Sequence, residues 1–237
     1  MKKILFIVSA LFLAIPFSSF SQKEEKNQVE GSGNIVTKEV TVQSFSELKA
    51  SGVFSIYLEQ GNTESVKIEA DDNFQPLFEV KNEGSRLVIK MQDHISFKTK
   101  KGSKGMKVYI TFKTLKNMDL NMVGSVSADK MLTFEDLAIT NNSVGSIHLN
   151  LSARSVNIKN ESVGTITLSG KADEAIIKNN GVGSLKAYDF IVQKMDINNS
   201  GIGSAEVNAE KELKVKDNFM GKVTNKGNAK RTNKIVI

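Results

Sequence analysis

Six copies of one short motif divide the C-terminal half of the chain: Val123-Gly124-Ser125, Val144-Gly145-Ser146, Val163-Gly164-Thr165, Val182-Gly183-Ser184, Ile202-Gly203-Ser204 and the degenerate Met220-Gly221-Lys222. The glycines stand 21, 19, 19, 20 and 18 residues apart. A repeat of this length, filled with strand-like alternation, is a unit that cannot bury its apolar face alone and must stack on its neighbours. Few folds other than a solenoid satisfy that constraint.

If the copies stack in register, each inward column is apolar in every copy. Aligned on the glycine, five columns qualify. Eight residues before it stand Leu137, Val156, Ala175, Met195 and Leu213, and six before it Met118, Ile139, Ile158, Ile177, Ile197 and Val215. Immediately before it stand Val123, Val144, Val163, Val182, Ile202 and Met220. Two after it come Val126, Ile147, Ile166, Leu185, Ala205 and Val223, and four after it Ala128, Leu149, Leu168, Ala187 and Val207. Polar columns separate them, a period of two that a helix does not produce. The expected fold is all-β: a right-handed parallel β-helix with about 19–20 residues per coil, capped by N-terminal strands. Six coils at about 4.8 Å each give a rod of roughly 30 Å.

Two columns read as structural. Four residues before the glycine stand Asn141, Asn160, Asn179 and Asn199, then Asp217, with Leu120 breaking the series. A stacked amide donates to one neighbouring coil and accepts from the other, which suits a bend. The glycines Gly124, Gly145, Gly164, Gly183, Gly203 and Gly221 permit a corner or a close pass over the next coil. Gly-x-Gly runs such as Gly181-Val182-Gly183 lack the following helix that a phosphate-binding loop requires.

Upstream, alternation marks strands in Val36-Lys38-Val40-Val42, Val53-Ser55-Tyr57, Val66-Ile68-Ala70 and Leu87-Ile89-Met91. One short helical turn is expected between Asp71 and Phe78, capped by Asp71 or Asp72 and limited by Pro76. Residues 34–112 form the N-terminal β part, 113–224 the repeat solenoid and 225–237 a basic tail or last strand. Residues 22–33, polar and aperiodic, read as a flexible leader. Residues 1–21, with Lys2 and Lys3, an apolar run from Ile4 to Ile15 and a small polar end, read as a secretory signal peptide. That run is too short to span a bilayer, no later segment is a span, and the protein is expected in the periplasm or at the cell surface or beyond.

With no cysteine, stability must come from packing, and a lipidated cysteine is excluded. The net charge of +6 is modest. Lysines gather in the loop containing Lys98, Lys100, Lys101, Lys104 and Lys107, a solvated loop or an anion- or glycan-binding patch. Aromatic residues do not interleave with them, so nucleic acid is not an expected partner. His94 and His148 have no second histidine at ligand spacing, and no metal, cofactor or catalytic residue is assigned. Asp173, Glu174, Asp189, Glu206, Glu210 and Glu212 do not gather in one column, and tryptophan is absent, so the chain is not read as an enzyme.

In its order of segments the chain resembles the head GIN domain family of auto-transporter adhesins, exported proteins common among the Bacteroidetes. The resemblance runs from Val40 to Val223. It is carried by Phe45-Ser46-Glu47-Leu48-Lys49-Ala50-Ser51-Gly52-Val53-Phe54-Ser55-Ile56-Tyr57-Leu58, by Val66-Lys67-Ile68-Glu69-Ala70-Asp71-Asp72, by Gly84-Ser85-Arg86-Leu87-Val88-Ile89 and by Lys107-Val108-Tyr109-Ile110-Thr111, followed by the glycine repeats. It implies a β-helix-like exported domain and brings no catalytic residues. Where the family places a small residue before the coil glycine, this chain has Val or Ile, a change expected to fill the core. Three readings stay open: a non-catalytic binding module for a glycan or cell-surface component, a carbohydrate-active β-helix enzyme, and a periplasmic envelope-maintenance module acting as a homo-oligomer.

Overall fold

The computed structural model describes residues 27–93, 95–98 and 105–233. The proposed signal segment, His94, Lys100, Lys101, Lys104 and the final Ile235-Val236-Ile237 lie outside the described residues. In chain order the strands are β1 (Asn27–Glu30), β2 (Ile35–Val40), β3 (Glu47–Val53), β4 (Ser55–Gln60), β5 (Ser65–Asp71), β6 (Phe78–Glu83), β7 (Arg86–Met91), β8 (Ile95–Lys98) and β9 (Lys107–Phe112). They continue with β10 (Asn117–Val123), β11 (Val126–Ser127), β12 (Leu132–Asn141), β13 (Ile147–Asn160), β14 (Ile166–Asn179), β15 (Leu185–Asn199), β16 (Ala205–Asp217), β17 (Val223–Asn225) and β18 (Arg231–Asn233).

The repeats stack as coils of a parallel β-solenoid. Between β13 and β14 the partners are Ile147 with Ile166, Leu149 with Leu168, Val156 with Ala175, Ile158 with Ile177 and Asn160 with Asn179. Like residues therefore lie over like residues, and the interior is one continuous cluster. The unequal repeat lengths are absorbed as register shifts, between Thr167 and Ser169 opposite β15 and between Lys186 and Ile191 opposite β16.

The N-terminal strands cap the rod and also add coils to it, out of chain order. β3 and β4 lie parallel to β10 and β11, and β7 and β9 lie parallel to β3 and β4 on the far side. Beyond them the direction reverses. β6 runs antiparallel to β7, and β5 antiparallel to β9 with β2 outside it. These reversed strands occupy the parallel edge that a further coil would otherwise join, and β2 and β6 become the outer strands at that end. Segment 27–30, expected to be aperiodic, forms β1 and pairs with β8, while Asn73 Nδ2 donates to Glu30 O at 2.9 Å.

Four of the five apolar columns point inward as expected, and one does not. Val123, Val144, Val163, Val182, Ile202 and Met220 are 48–58% exposed. The cause is parity: alternation runs unbroken through the corner. Ile139, Asn141, Ser143, Ile147 and Leu149 are buried, Gly145 takes the inward place between Ser143 and Ile147, and the Val before it must face out. These residues do not fill the core. A second correction concerns the helical turn. It is a 3-10 turn, Gln75–Leu77, whose N-cap is Phe74 with no side-chain cap; Pro76 inside it lacks the N–H a longer helix needs. Asp71 instead accepts the N–H of Gly33 at 2.5 Å.

Candidate functional site

Strand alternation on β4 and β9 sends Ser55, Tyr57 and Glu59, and Lys107, Tyr109 and Thr111, outward while Ile56, Leu58, Val108 and Ile110 enter the core. The parallel register sets Tyr57 against Tyr109 and Glu59 against Thr111. The two phenol rings stack with centroids 5.0 Å apart and planes 23° from parallel. On the other side Tyr57 pairs with Ser127 of β11. Serine is too short to cover the ring, so one face of Tyr57 rests on Tyr109 and the other is open.

The space over Ser127 is a groove of about 290 Å³, lined by Tyr57, Glu59, Tyr109, Thr111, Ser127, Asp129 and Lys130, with a floor of Leu58 and Ile110. Along one wall lies the aromatic stack. Opposite it Lys130 Nζ is 2.7 Å from Glu59 Oε1. That hydrogen bond lowers the Glu59 pKa and raises that of Lys130, so both are charged near neutral pH. Beneath the tyrosines, Lys107 Nζ donates to Glu69 Oε1 at 2.7 Å and Tyr109 Oη to Glu69 Oε2 at 3.4 Å, which fixes the second ring. An apolar wall facing ionised donors and acceptors is chemistry suited to a polar ligand with a C–H face.

Of the lysines singled out in the sequence, Lys98 is exposed with Nζ 3.6 Å from Glu30 Oε2. Lys107 is held by Glu69, which raises its pKa. The asparagines assemble as a ladder: Asn141 Nδ2 donates to Asn160 Oδ1 at 2.8 Å, Asn160 to Asn179 at 2.7 Å and Asn179 to Asn199 at 2.6 Å. Asn199 ends the series on the carbonyl of Gly221 at 2.5 Å. Gly164 has φ +149°, and a Cβ there would collide with the carbonyl of Gly145 one coil below. Neither column reaches the groove. Among the described residues no group of His, Asp and Glu is placed to hold a metal ion, and His148 is exposed on the outer face.

The tyrosine pair was not singled out in the sequence. Tyr57 and Tyr109 are two of only three tyrosines and occupy outward positions of their strands, a usable signal. Pairing them requires the register of β4 on β9, which joins segments separated by four intervening strands.

A family model described as "Putative auto-transporter adhesin, head GIN domain" matches residues 44–229. The chain belongs to this family. The head GIN domain thus includes β3 to β17, and both tyrosines lie within it. Its fold is shared with a crystal structure of a "putative adhesin" from Bacteroides fragilis, 25% identical, covering 86% of this chain and 99% of that one with a TM-score of 0.72. A "putative lipid binding protein" from Parabacteroides distasonis is 18% identical over 89% of this chain and 100% of its own, with a TM-score of 0.55. A "putative adhesin" from Parabacteroides merdae is 19% identical over 88% and 100%, with a TM-score of 0.53. These last two likenesses concern the head GIN fold alone. No curated protein matches the chain.

Proposed function

We propose that this head GIN protein is a non-catalytic adhesin of the cell envelope or surface that holds a glycan in the Tyr57 groove. The observation that carries the reading is the open face of Tyr57, backed by Tyr109 and flanked by the Glu59–Lys130 ion pair. A pyranose ring presents C–H groups on its faces and hydroxyls at its rim. Its face stacks on Tyr57, and its hydroxyls meet Glu59, Asp129, Lys130 and Thr111. A groove of about 290 Å³ accommodates one or two sugar units, with the remainder of a chain lying along the rod.

The carboxylates of the outer faces support binding over hydrolysis. Glu59 is paired with Lys130, Glu174 with Lys194 at 3.4 Å and Glu212 with Lys214 at 2.8 Å, and Asp189 lies 3.8 Å from Lys226. A glycoside hydrolase of the common type needs one carboxylic acid kept protonated, whereas the pairings of Glu59 and Glu212 lower their pKa. Export follows from the reading of residues 1–21 as a secretion signal and accords with the adhesin family. The test is an array of bacterial and host glycans probed with the parent protein, with release of reducing ends assayed in parallel. Saturable binding without release supports the proposal, and release of reducing ends refutes it.

A further inference from the structure

The outward-facing residues before the coil glycines form a second surface, distinct from the Tyr57 groove and argued independently of it. Val53 pairs with Val123, and parallel bridges link Val123, Val144, Val163, Val182 and Ile202 in turn. The N–H of Gly203 donates to Met220 O at 2.9 Å and extends the row to the end of the rod. Seven rungs give a straight apolar stripe of about 29 Å. At its end Phe219 is fully exposed, and Met220 is 58% exposed. Isolated exposed apolar residues are ordinary, but a continuous row ending in an uncovered aromatic ring marks an interaction surface.

The charges decide the partner. Lys178 and Lys186 border the C-terminal half of the stripe, and Lys216 and Lys222 flank Phe219 and Met220; all four are exposed and make no ion pair among the described residues. Asp217, the acid nearest the tip, is neutralised by Arg231 at 2.6 Å. Glu206, half-buried and paired in register with Lys186, is the carboxylate bordering that half. A stripe about 29 Å long and about 10 Å wide covers only some 300 Å², well short of the roughly 800 Å² per partner typical of a stable protein interface. A lipid surface has no such area requirement, and an apolar wedge inside a basic collar is the arrangement that holds a protein at an anionic bilayer. We propose that Val182, Ile202, Phe219 and Met220 dock this end of the rod into an anionic lipid surface, with Lys178, Lys186, Lys216 and Lys222 against the headgroups.

The test is co-sedimentation with vesicles of phosphatidylglycerol and phosphatidylethanolamine, compared with vesicles of phosphatidylcholine alone. Parent and variants share one N-terminus, so differences between them report the stripe. The parent should partition to the anionic vesicles and release in high salt. Phe219→Ser combined with Met220→Ser should lower the partition at least about tenfold. Lys178→Gln, Lys216→Gln and Lys222→Gln together should abolish the preference for anionic lipid. Thermal unfolding serves as the control, since all these side chains are exposed. Equal partition of parent and variants, or no binding of the parent to anionic vesicles, overturns the proposal. So does sedimentation equilibrium showing a dimer that the Phe219 and Met220 changes dissociate without any vesicle binding.

Discussion

Asn160 donates its side-chain amide to the Oδ1 of Asn179 at 2.7 Å while fully enclosed by the coil walls. The same Asn160 accepts from Asn141 Nδ2 at 2.8 Å and from Ser162 Oγ at 2.7 Å. The Asn160 amide thus satisfies groups in both adjacent coils, a role no apolar residue can take. Replacing Asn160 by Ala would leave the Asn141 amide, the Ser162 hydroxyl and the Asn179 oxygen without their partners. A loss of about 2–4 kcal/mol is expected, from several buried polar groups at about 1–3 kcal/mol each with partial relaxation. Urea unfolding of Asn160→Ala against the parent measures it, and a loss under about 1 kcal/mol would mean the ladder is not supporting the stack.

The glycine corners divide by what surrounds them. Gly164 lies at φ +149° under the Gly145 carbonyl, whereas Gly84, at φ +61°, has open space around it. Gly164→Ala should therefore cost at least about 2 kcal/mol and Gly84→Ala only about 1 kcal/mol. Thermal melts of the two variants compare them directly, and equal shifts would contradict the close coil contact.

Parity through the corner predicts opposite results for two aliphatic residues only five positions apart. Val163 is 52% exposed and Ile158 is 1% exposed. Val163→Ser should change stability by less than about 0.5 kcal/mol, while Ile158→Asp places a charge in the core and should cost several kcal/mol. Chemical denaturation of both variants checks the assignment of faces.

The last coil should be acid-sensitive. Arg231 donates to both carboxylate oxygens of Asp217, at 2.6 and 3.0 Å, and Val223 N donates to Oδ2 at 3.0 Å. The Arg231 hydrogen bond holds the Asp217 pKa below the ordinary aspartate range, against an opposing desolvation effect. A folded pKa lower than the unfolded one gives stability that is complete above about pH 4 and disappears as pH falls through the folded value. Asp217→Asn should be less stable than the parent by about 1 kcal/mol near neutral pH, and the difference should shrink progressively below about pH 4. Denaturation midpoints across that range test the sign.

The stacked coils were legible because one 19-residue period places Ile139, Ile158 and Ile177 on the same inward rung. The Asn ladder was legible for the same reason, including its interruption at Leu120, opposite which Asn141 Oδ1 has no donor among the described residues. The exposed face was misread because a column of Val and Ile looks like core; counting by twos from Ile147 back to Ser143 and Asn141 puts Val144 outside. The groove was hidden for a different reason. Tyr57, Tyr109 and Ser127 meet only because β7 and β9 form a coil beneath β3 and β4 although they follow them in the chain, and no local pattern encodes that inversion.

The claim that the Tyr57 groove holds a glycan is tested most directly by filling it. Ser127 is a partly exposed serine on the rung beside Tyr57, so Ser127→Tyr should extend the aromatic stack over the open ring without entering the core. With the strongest glycan from the array as probe, the account predicts that Ser127→Tyr and Tyr57→Ala each weaken binding at least about tenfold while melting like the parent, since stacking on a ring and access to it both disappear. Binding undiminished in both variants would contradict it and place recognition elsewhere on the rod.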